Sequence, residues 1–305
     1  MTPVTPDVLS VVIPTKDHPV DLRRLLESLA AQSARPTEVV VVDGGSSPVE
    51  SIALEPWPFA VRYERVYPPG LARQQNAGVR RVASTSTHVA FIDDDIVLDA
   101  DAMERMLAFW RDADPAFGGA AFNLVNNIEP PRHVGLKALF GIEAPARGKL
   151  LPSGYQTSIG AVSETTEVEW VYGGATVWRR EILERLPFDE WFAGPGHLYE
   201  LDFCFRATQQ GYRIAVVADA RVREIPGNRS WNDTPLGRWQ VLNRLYFVRK
   251  HRGQGGLSVA RCWLALVGQF AVNTARAVID GDRRYLQRAR GNCLGFIDVL
   301  RRASR

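Results

Sequence analysis

Cysteine is scarce in this sequence, which contains Cys204, Cys262 and Cys293 in a length of 305 residues. Thiols so far apart form neither the paired spacing of a zinc site nor the framework of a disulfide-stapled secreted domain. We therefore expect a protein of a reducing compartment, held together by an ordinary hydrophobic core. With 46% hydrophobic residues, the chain can form one large domain, or one domain with an appendage.

Neither a signal-peptide pattern nor a long uninterrupted apolar run is expected from this sequence. Residues 1–6 contain no basic stretch followed by an apolar core, so no signal peptide is expected. The most apolar segment, 257–279, is broken by two arginines and two amides. Such side chains are costly inside a bilayer, and they favour an amphipathic helix at a membrane surface over a spanning helix. We predict a cytoplasmic protein that is peripheral on the inner face of the membrane.

Acidic residues are rare in the C-terminal part of the chain. Residues 244–305 contain 13 Lys and Arg against 3 acids, whereas the remaining residues contain 24 against 31. The net charges of the two parts are therefore +10 and −7, from a total of +3. Such a basic tail indicates contact with an anionic surface such as a membrane, and the alternative is a tail that is merely solvated. Nucleic acid is not expected, because no stacking-aromatic motif or recognition helix accompanies the charge.

Strand and helix patterns alternate along the first third of the chain. β-Branched runs at 8–13 and 38–42 indicate buried strands, and leucines at helical spacing lie between them. This βαβ pattern predicts parallel strands joined by a right-handed crossover. The expected fold class is therefore α/β, with a mostly parallel sheet flanked by helices. A helical pattern over 236–305 predicts a basic C-terminal extension.

Three consecutive acids, Asp93, Asp94 and Asp95, follow the apolar run 89–92. In α/β sheets, ligands bind where strands end at their carboxyl side. Buried carboxylates repel one another, and a divalent cation removes that cost. Oxygen ligands suit Mg²⁺ or Mn²⁺, which usually also hold substrate phosphates. We predict a metal–phosphate site here, and a solvated acidic turn is the alternative.

Two further segments carry candidate ligand contacts. Asp43 ends the second strand before a glycine pair, so its carboxylate is placed to accept hydrogen bonds from a base or ribose. Arg73 and Asn76 lie on one face of the helix predicted over 70–81, where they could bind a diphosphate. A turn without a ligand and an ordinary surface helix are the alternatives for these segments.

Four motifs together resemble glycosyltransferase family two. They are SVVIPT at 10–15, VVDGGS at 41–46, ARQQNAG at 72–78 and FIDDD at 91–95. Their order and spacing make the resemblance specific over residues 8–110. It implies the GT-A fold, a nucleotide-sugar donor and transfer with inversion.

The resemblance also implies a catalytic base. In the family, a Glu-Asp pair opens a helix and its Asp is the usual base, whereas this chain has Tyr199 and Glu200 at those positions. Glu200 is our first candidate for the base and Asp202 the second, because carboxylates differ little in pKa. Asp202 could instead orient Arg206, four residues further on. His197 is the third candidate.

Metal and sugar contacts follow from the same resemblance. Asp95 is the expected metal ligand, and Glu224 stands near the position where the family often has a metal-binding His. The cofactor is expected to be Mg²⁺ or Mn²⁺. Gly173 and Gly174 match the family's glycines beside the sugar, and residues 227–231 are expected to form a loop over the diphosphate.

Nucleotide contacts complete the set of residues implied by the resemblance. Asp93 and Asp94 would hold the ribose or complete the metal shell, Asp43 would meet the base, and Arg73 would add positive charge near the phosphates. The nucleotide pocket would be lined by the loop Pro14, Thr15, Lys16 and Asp17.

The domain organisation and the substrates are expectations of the same kind. A GT-A domain is predicted over 1–235, with a nucleotide-binding half at about 8–115 and an acceptor half at about 116–235. The donor would be a UDP-, GDP- or dTDP-sugar, and the acceptor a glycan or a lipid-linked molecule, as in polysaccharide or cell-envelope synthesis. The alternatives are a sugar-nucleotide nucleotidyltransferase and a non-catalytic scaffold subunit that binds sugar nucleotides.

Overall fold

The computed structural model describes residues 8–127, 129–130, 135–192, 196–225 and 232–303. Contacts divide the chain into two compact units, 1–129 with 159–227, and 130–158 with 228–305. The second unit thus takes in 130–158, which the sequence assigns to the acceptor half, and the boundary at residue 235 stays a prediction. The loop expected at 227–231 lies outside the described residues.

Strands and helices alternate through the first unit, and the second unit is mainly helical. In chain order the elements are β1 (Leu9–Thr15), α1 (Pro19–Ala30), β2 (Glu38–Asp43), α2 (Glu50–Ala53), β3 (Ala60–Arg65), α3 (Leu71–Arg81), β4 (His88–Ile92), β5 (Ile96–Leu98), α4 (Ala102–Asp112), β6 (Phe117–Leu124), α5 (Leu136–Leu139), β7 (Thr166–Val168), β8 (Ala175–Arg179), α6 (Arg180–Arg185), α7 (Tyr199–Gln209), β9 (Arg213–Glu224), α8 (Asp233–Lys250), α9 (Val259–Ile279) and α10 (Arg283–Ala303). Of these, α5, α8, α9 and α10 belong to the second unit.

One sheet organises the described part of the first unit. Its strand order is β3-β2-β1-β4-β8-β6-β9-β5, with β7 paired to β9. Strands β1 to β4 pair in parallel, as the βαβ pattern predicts. The α/β class with flanking helices is confirmed, but beyond β4 the sheet is mixed, because β8 runs antiparallel between β4 and β6.

The core of the first unit covers both faces of the parallel strands. Every residue of β1, β2 and β4 is buried, which is why these strands are continuous apolar runs rather than alternating ones. The leucine stripe of α1 packs into the same core. A Cβ on Gly78 of α3 would overlap Val12 of β1, so this glycine permits close packing of helix on strand.

The second unit is built around the packing of α8, α9 and α10. Gly237 of α8 and Gly291 of α10 let these two helices cross in near backbone contact. The ring of Phe296 in α10 stacks on that of Trp263 in α9, with centroids 6.0 Å apart. Helix α9 is long and apolar enough to cross a membrane by length and composition alone, and 28% of its most apolar window is buried.

Candidate functional site

The acidic triplet lies in the turn between β4 and β5, at the edge where the parallel strands end. The side chains of Asp94 and Asp95 are buried there. The end of β9 reaches the same edge, because Ile96 pairs with Glu224 and the Ile225 amide donates to the Asp95 carbonyl oxygen at 2.8 Å. The backbone therefore brings together the two predicted metal ligands, Asp95 and Glu224.

Asp93 lies within a group of interacting carboxylates. Burial raises its pKa well above the ordinary value, and Asp95, Asp94, Glu224 and Glu200 raise that pKa further by charge repulsion. The Oδ1 atom of Asp93 is buried without a hydrogen-bond partner among the described residues. The cluster therefore carries uncompensated negative charge, which a proton or a cation would neutralise.

These residues fit a hard divalent cation. Carboxylate oxygens are the protein ligands that Mg²⁺ prefers, and one or two of them commonly suffice because waters and substrate phosphates complete the shell. Within the described ranges, no group of three or more His, Cys, Asp or Glu side chains is already gathered as a metal cluster. Asp95 and Glu224 would therefore supply only part of a coordination shell, which waters and substrate phosphates would complete. Their role as metal ligands stays a prediction.

The side chain of Asp94 is hydrogen-bonded to the end of β1 and the loop that follows it. Its Oδ2 atom accepts a hydrogen bond from Thr15 Oγ1 at 2.7 Å and lies 3.2 Å from His18 Nδ1. Burial raises the pKa of Asp94, and the hydrogen bond from Thr15 and the neighbouring His18 partly offset that rise. The acidic turn and the β1 loop are thereby held together. The predicted ribose contact of Asp94 stays a prediction.

Asp43 is fully buried at the carboxyl end of β2. Its carboxylate accepts hydrogen bonds from the amides of Gly45 at 2.7 Å and Val49 at 3.1 Å, and from the Tyr63 hydroxyl at 2.7 Å. Burial, and secondarily the bond to Asp43, raises the pKa of Tyr63 to about 12. Asp43 thus shapes the turn after β2, and its predicted contact with the base stays a prediction.

The β1 loop is tied to the β2 loop through Asp17. This residue has a φ of 59°, and its Oδ1 accepts hydrogen bonds from the Ser46 amide and hydroxyl, each at 2.7 Å. The Ser46 hydroxyl bond is the main reason that the pKa of Asp17 is lowered. Lys16 is exposed beside it, whereas Pro14 and Thr15 are buried in β1. The predicted loop lies at the carboxyl edge, next to Asp94.

Arg73 and Asn76 share one face of α3, and that face contacts the segment after α6. Arg73 Nε donates to Glu190 at 2.9 Å, and Asn76 bonds Glu190 at 3.1 Å and both backbone groups of Phe188 at 2.9 Å. Burial alone would raise the pKa of Glu190, but the bonds from Arg73 and Asn76 hold it below its usual range. Both residues therefore have protein partners, and their diphosphate contact stays a prediction.

Gly173 and Gly174 lie in the turn immediately before β8 rather than within a strand. A Cβ on Gly174 would overlap the carboxylate of Asp93, and one on Gly173 would overlap the hydroxyl of Tyr199. The Gly174 carbonyl oxygen accepts the Asp93 amide at 2.8 Å. The two glycines thus bring the acidic turn and the start of α7 against one backbone segment, and a sugar contact stays a prediction.

Glu200 lies in the first turn of α7 and is half-buried. It lines a small, mostly apolar cavity together with Gly173 and Thr176. The helix begins after Leu198, whose φ of 74° is costly for a bulky residue and fixes the direction in which the first turn points. Glu200 and the acidic triplet are close enough to perturb one another, as the raised pKa of Asp93 indicates.

Asp202 has a different environment from Glu200. It is fully buried, and its Oδ2 accepts a hydrogen bond from Arg206 Nε at 2.8 Å. Arg206 also donates to the Pro187 carbonyl oxygen at 2.8 Å. The bond between Asp202 and Arg206 that the sequence suggests is present. Which of Glu200 and Asp202 acts as the base stays a prediction. His197 is half-buried, and its role stays a prediction.

The sequence reasoning missed two contacts of Tyr199 and Asp94. Gln75, which is fully buried, donates from Nε2 to the Tyr199 hydroxyl at 3.0 Å, and its Oε1 has no hydrogen-bond partner among the described residues. His18 contacts Asp94 from the β1 loop. Both residues lie within motifs that the sequence singles out, but no spacing rule connects Gln75 to a residue 124 positions away.

A curated relative is similar to most of this chain in sequence. A region of "O-antigen biosynthesis protein RfbC" from Myxococcus xanthus is 28% identical over 225 residues, which is 72% of this chain and 17% of that protein. The chain thus spans about a sixth of the length of the curated relative that it matches.

Solved structures show the same fold at low identity. "Mannosyltransferase PcManGT from Pyrobaculum calidifontis in complex with GDP-Man and Mn2+" has a TM-score of 0.57 and 16% identity, and the match covers 97% of this chain and 90% of that chain. "GalNAc-T7 with UDP, GalNAc and Mn2+" has a TM-score of 0.58 and 17% identity, covering 84% and 53%. "S. aureus TarS" has a TM-score of 0.54 and 16% identity, covering 88% and 43%.

The family model of glycosyl transferase family 2 matches residues 10–186, more than half of the chain. That range holds the acidic triplet, the glycine turn and nearly all of the parallel strands β1, β2 and β4. The resemblance noted in the sequence is therefore confirmed, together with the GT-A fold. This chain belongs to glycosyltransferase family 2.

Proposed function

We propose that this protein transfers a sugar from a nucleoside-diphosphate donor to a glycan or lipid-linked acceptor, with inversion at the anomeric carbon. The observation that carries the proposal is the meeting of Asp93, Asp95, Glu224 and Glu200 at one edge of a family 2 sheet. Such an edge can hold a metal–diphosphate on one side and a base on the other. Family membership favours sugar transfer over the nucleotidyl transfer that the sequence left open.

On the donor side, the residues that would hold Mg²⁺ or Mn²⁺ are Asp95 and Glu224. Such a cation acts as a Lewis acid toward the oxygens of the leaving diphosphate. Crystals of two proteins with this fold contain Mn²⁺, which supports a divalent cofactor here. Asp94 and Asp17 hold the β1 and β2 loops in place, so that the nucleotide meets a fixed surface.

On the acceptor side, Glu200 is the proposed general base. It lies in the first turn of α7 and lines a small, mostly apolar cavity, so its carboxylate is held at the border between the protein interior and a space beside Gly173 and Thr176. It would take the proton from the acceptor hydroxyl as that oxygen bonds to the anomeric carbon. The bond from that carbon to the diphosphate oxygen breaks on the opposite side, which gives inversion.

The acceptor class and location are supported by composition and by the curated relative. That relative is described as an O-antigen biosynthesis protein, which favours polysaccharide assembly in a cell envelope. The net charge of +10 over residues 244–305 suits a cytoplasmic protein that works on the inner face of a membrane.

The test follows release of nucleoside diphosphate from a panel of UDP-, GDP- and dTDP-sugars in the presence of Mn²⁺. The wild-type protein should slowly hydrolyse its own donor. Asp95→Ala should abolish release, and Glu200→Gln should lower turnover by about 10²- to 10⁴-fold while donor binding by calorimetry persists. The matched control is Glu181→Gln, an exposed glutamate of α6.

Asp43→Ala supplies a second comparison, because Asp43 stabilises a turn rather than the leaving group. It should reduce the rate less than Asp95→Ala does under saturating donor. Release of pyrophosphate instead of nucleoside diphosphate would establish nucleotidyl transfer and refute the proposal. Equal, small losses for the Asp43 and Asp95 variants would remove the metal-ligand assignment.

A further inference from the structure

Helix α9 presents apolar side chains to solvent along one face. Leu264, Val267 and Val278 are 50%, 53% and 80% exposed, and Ala271 between them is exposed as well. Residues at these spacings of three, four and seven lie on one side of a helix, here over about 21 Å. The face contains no acidic side chain, because α9 has none in its sequence.

Helix α10 presents a second apolar face of the same length. Leu286, Ile297 and Leu300 are 62%, 43% and 67% exposed. The opposite side of α10 packs on α8 through Gly291 and Gly295. Packing therefore already occupies one side of this helix and leaves the leucine-rich side to water. Exposed apolar area of this kind, concentrated on two adjacent helices, indicates an interaction surface.

Exposed arginines accompany the two apolar faces, and helical spacing places Arg261, Arg283, Arg290 and Arg301 beside them. The exposed arginines of this hairpin are Arg261 and Arg276 on α9, and Arg283, Arg284, Arg290 and Arg301 on α10. Residues 259–303 contain three acidic residues and eight arginines. Two of the three are paired, since Asp282 accepts from Arg284 and Asp298 from Arg238. The rim of the surface is therefore strongly positive.

We infer that this hairpin surface docks on an anionic lipid bilayer, with α9 and α10 lying in the plane of the interface. The apolar side chains would enter the headgroup–acyl boundary, and the arginines would meet lipid phosphates. The inference rests on the peripheral location in the proposed function, and it assigns the surface, the orientation and the lipid chemistry.

A spanning arrangement of α9 fits the side chains less well. Arg261 and Arg276 are separated by about 22 Å of helix, which is shorter than the roughly 30 Å hydrocarbon core. Asn273 of α9 is buried, and its Nδ2 donates a hydrogen bond to Asn292 Oδ1 of α10 at 2.8 Å. This bond ties α9 to a helix that carries six arginines and cannot enter the bilayer with it.

A second copy of the chain is also a poorer occupant. An isologous interface would place the arginine rims of two protomers against each other, and like charges across an interface weaken association. An anionic bilayer has the opposite charge and needs no matching shape. Charge complementarity therefore selects the lipid surface.

The experiment is co-sedimentation of the full chain with vesicles. Phosphatidylcholine mixed with phosphatidylglycerol is compared with pure phosphatidylcholine, at low and high salt. Binding should require phosphatidylglycerol and weaken with salt. Leu264→Gln and Leu286→Gln should each weaken binding by about tenfold, because each removes a leucine from the inserted face. Arg283→Gln should weaken binding about fivefold, the loss of one basic contact.

Two exposed residues outside the hairpin serve as matched controls. Leu54→Gln and Arg111→Gln change the same side-chain types on the first unit and should leave vesicle binding unchanged. Absence of binding to either vesicle would overturn the inference, and so would equal loss in the control variants. A dimer seen by ultracentrifugation that Leu264→Gln dissociates would assign the surface to a second copy instead. Donor hydrolysis, measured without vesicles, reports separately on the proposed function.

Discussion

We expect Asp202→Asn to lower the free energy of unfolding while the folded variant keeps most of its activity. The carboxylate is fully buried, and its partner Arg206 has a side chain that is only 18% exposed. Removing one partner of a buried pair typically costs 3–5 kcal/mol, because the other charge stays behind. Arg206 keeps its bond to the Pro187 carbonyl oxygen, so we expect the lower end, about 3 kcal/mol.

The assay is urea unfolding followed by tryptophan fluorescence, with thermal unfolding beside it. A loss of about 3 kcal/mol corresponds to a fall in Tm of roughly 6–12 °C for a unit of this size. Asp101→Asn is the matched control, because Asp101, at the N-cap of α4, pairs with Arg105 at the same i,i+4 spacing, with side chains 47% and 55% exposed. An exposed pair of this kind contributes about 0.5 kcal/mol or less.

Donor turnover separates stability from chemistry. Below its unfolding temperature, the folded Asp202→Asn protein should keep the wild-type pH profile of donor hydrolysis and most of its rate, whereas Glu200→Gln should lose turnover at unchanged stability. If Asp202→Asn were as stable as Asp101→Asn but inactive, the assignment of base and structural partner would have to be exchanged. A double-mutant cycle with Arg206→Gln measures the pair directly.

Three further predictions concern packing and protonation. Burial, with a smaller contribution from a nearby arginine, lowers the pKa of His88 from 6.5 to about 4. The free energy of unfolding therefore has its full value above pH 6.5 and falls by about 3 kcal/mol as the pH drops to 4, because the unfolded chain binds a proton at His88 that the folded protein does not. In the His88→Gln variant, the urea midpoint should change less with pH over that range. Gly291→Ala should lower the free energy of unfolding by about 2 kcal/mol, because the new Cβ would overlap a carbonyl oxygen of α8. The control variant Gly135→Ala should cost under about 0.5 kcal/mol in the same unfolding assay, because a Cβ on Gly135 would meet open space. Tyr199→Phe removes the hydroxyl that Gln75 bonds and should cost about 1 kcal/mol, and an unchanged urea midpoint would contradict that bond.

Much of the arrangement at the carboxyl edge of the sheet could be predicted from the sequence. The motifs around Thr15, Asp43 and the acidic triplet each end a strand, and parallel strands align their carboxyl ends at one edge. Local patterns therefore predict that these residues lie together. The partners of Arg73 and Asn76 were not readable, because Glu190 lies more than a hundred residues away and no periodicity links the two segments.

The sequence by itself determined the family, the parallel half of the sheet, the acidic turn and the charge asymmetry. Each of these features depends only on the spacing of neighbouring residues or on composition. Tertiary structure alone decided that β8 enters the sheet antiparallel beside β4, that Asp202 is bound to Arg206 while Glu200 faces a cavity, and which sides of α9 and α10 are left to solvent. These outcomes depend on contacts between distant segments. Side-chain identity alone does not reveal which of several carboxylates will be buried against a cation and which will lie beside a cavity.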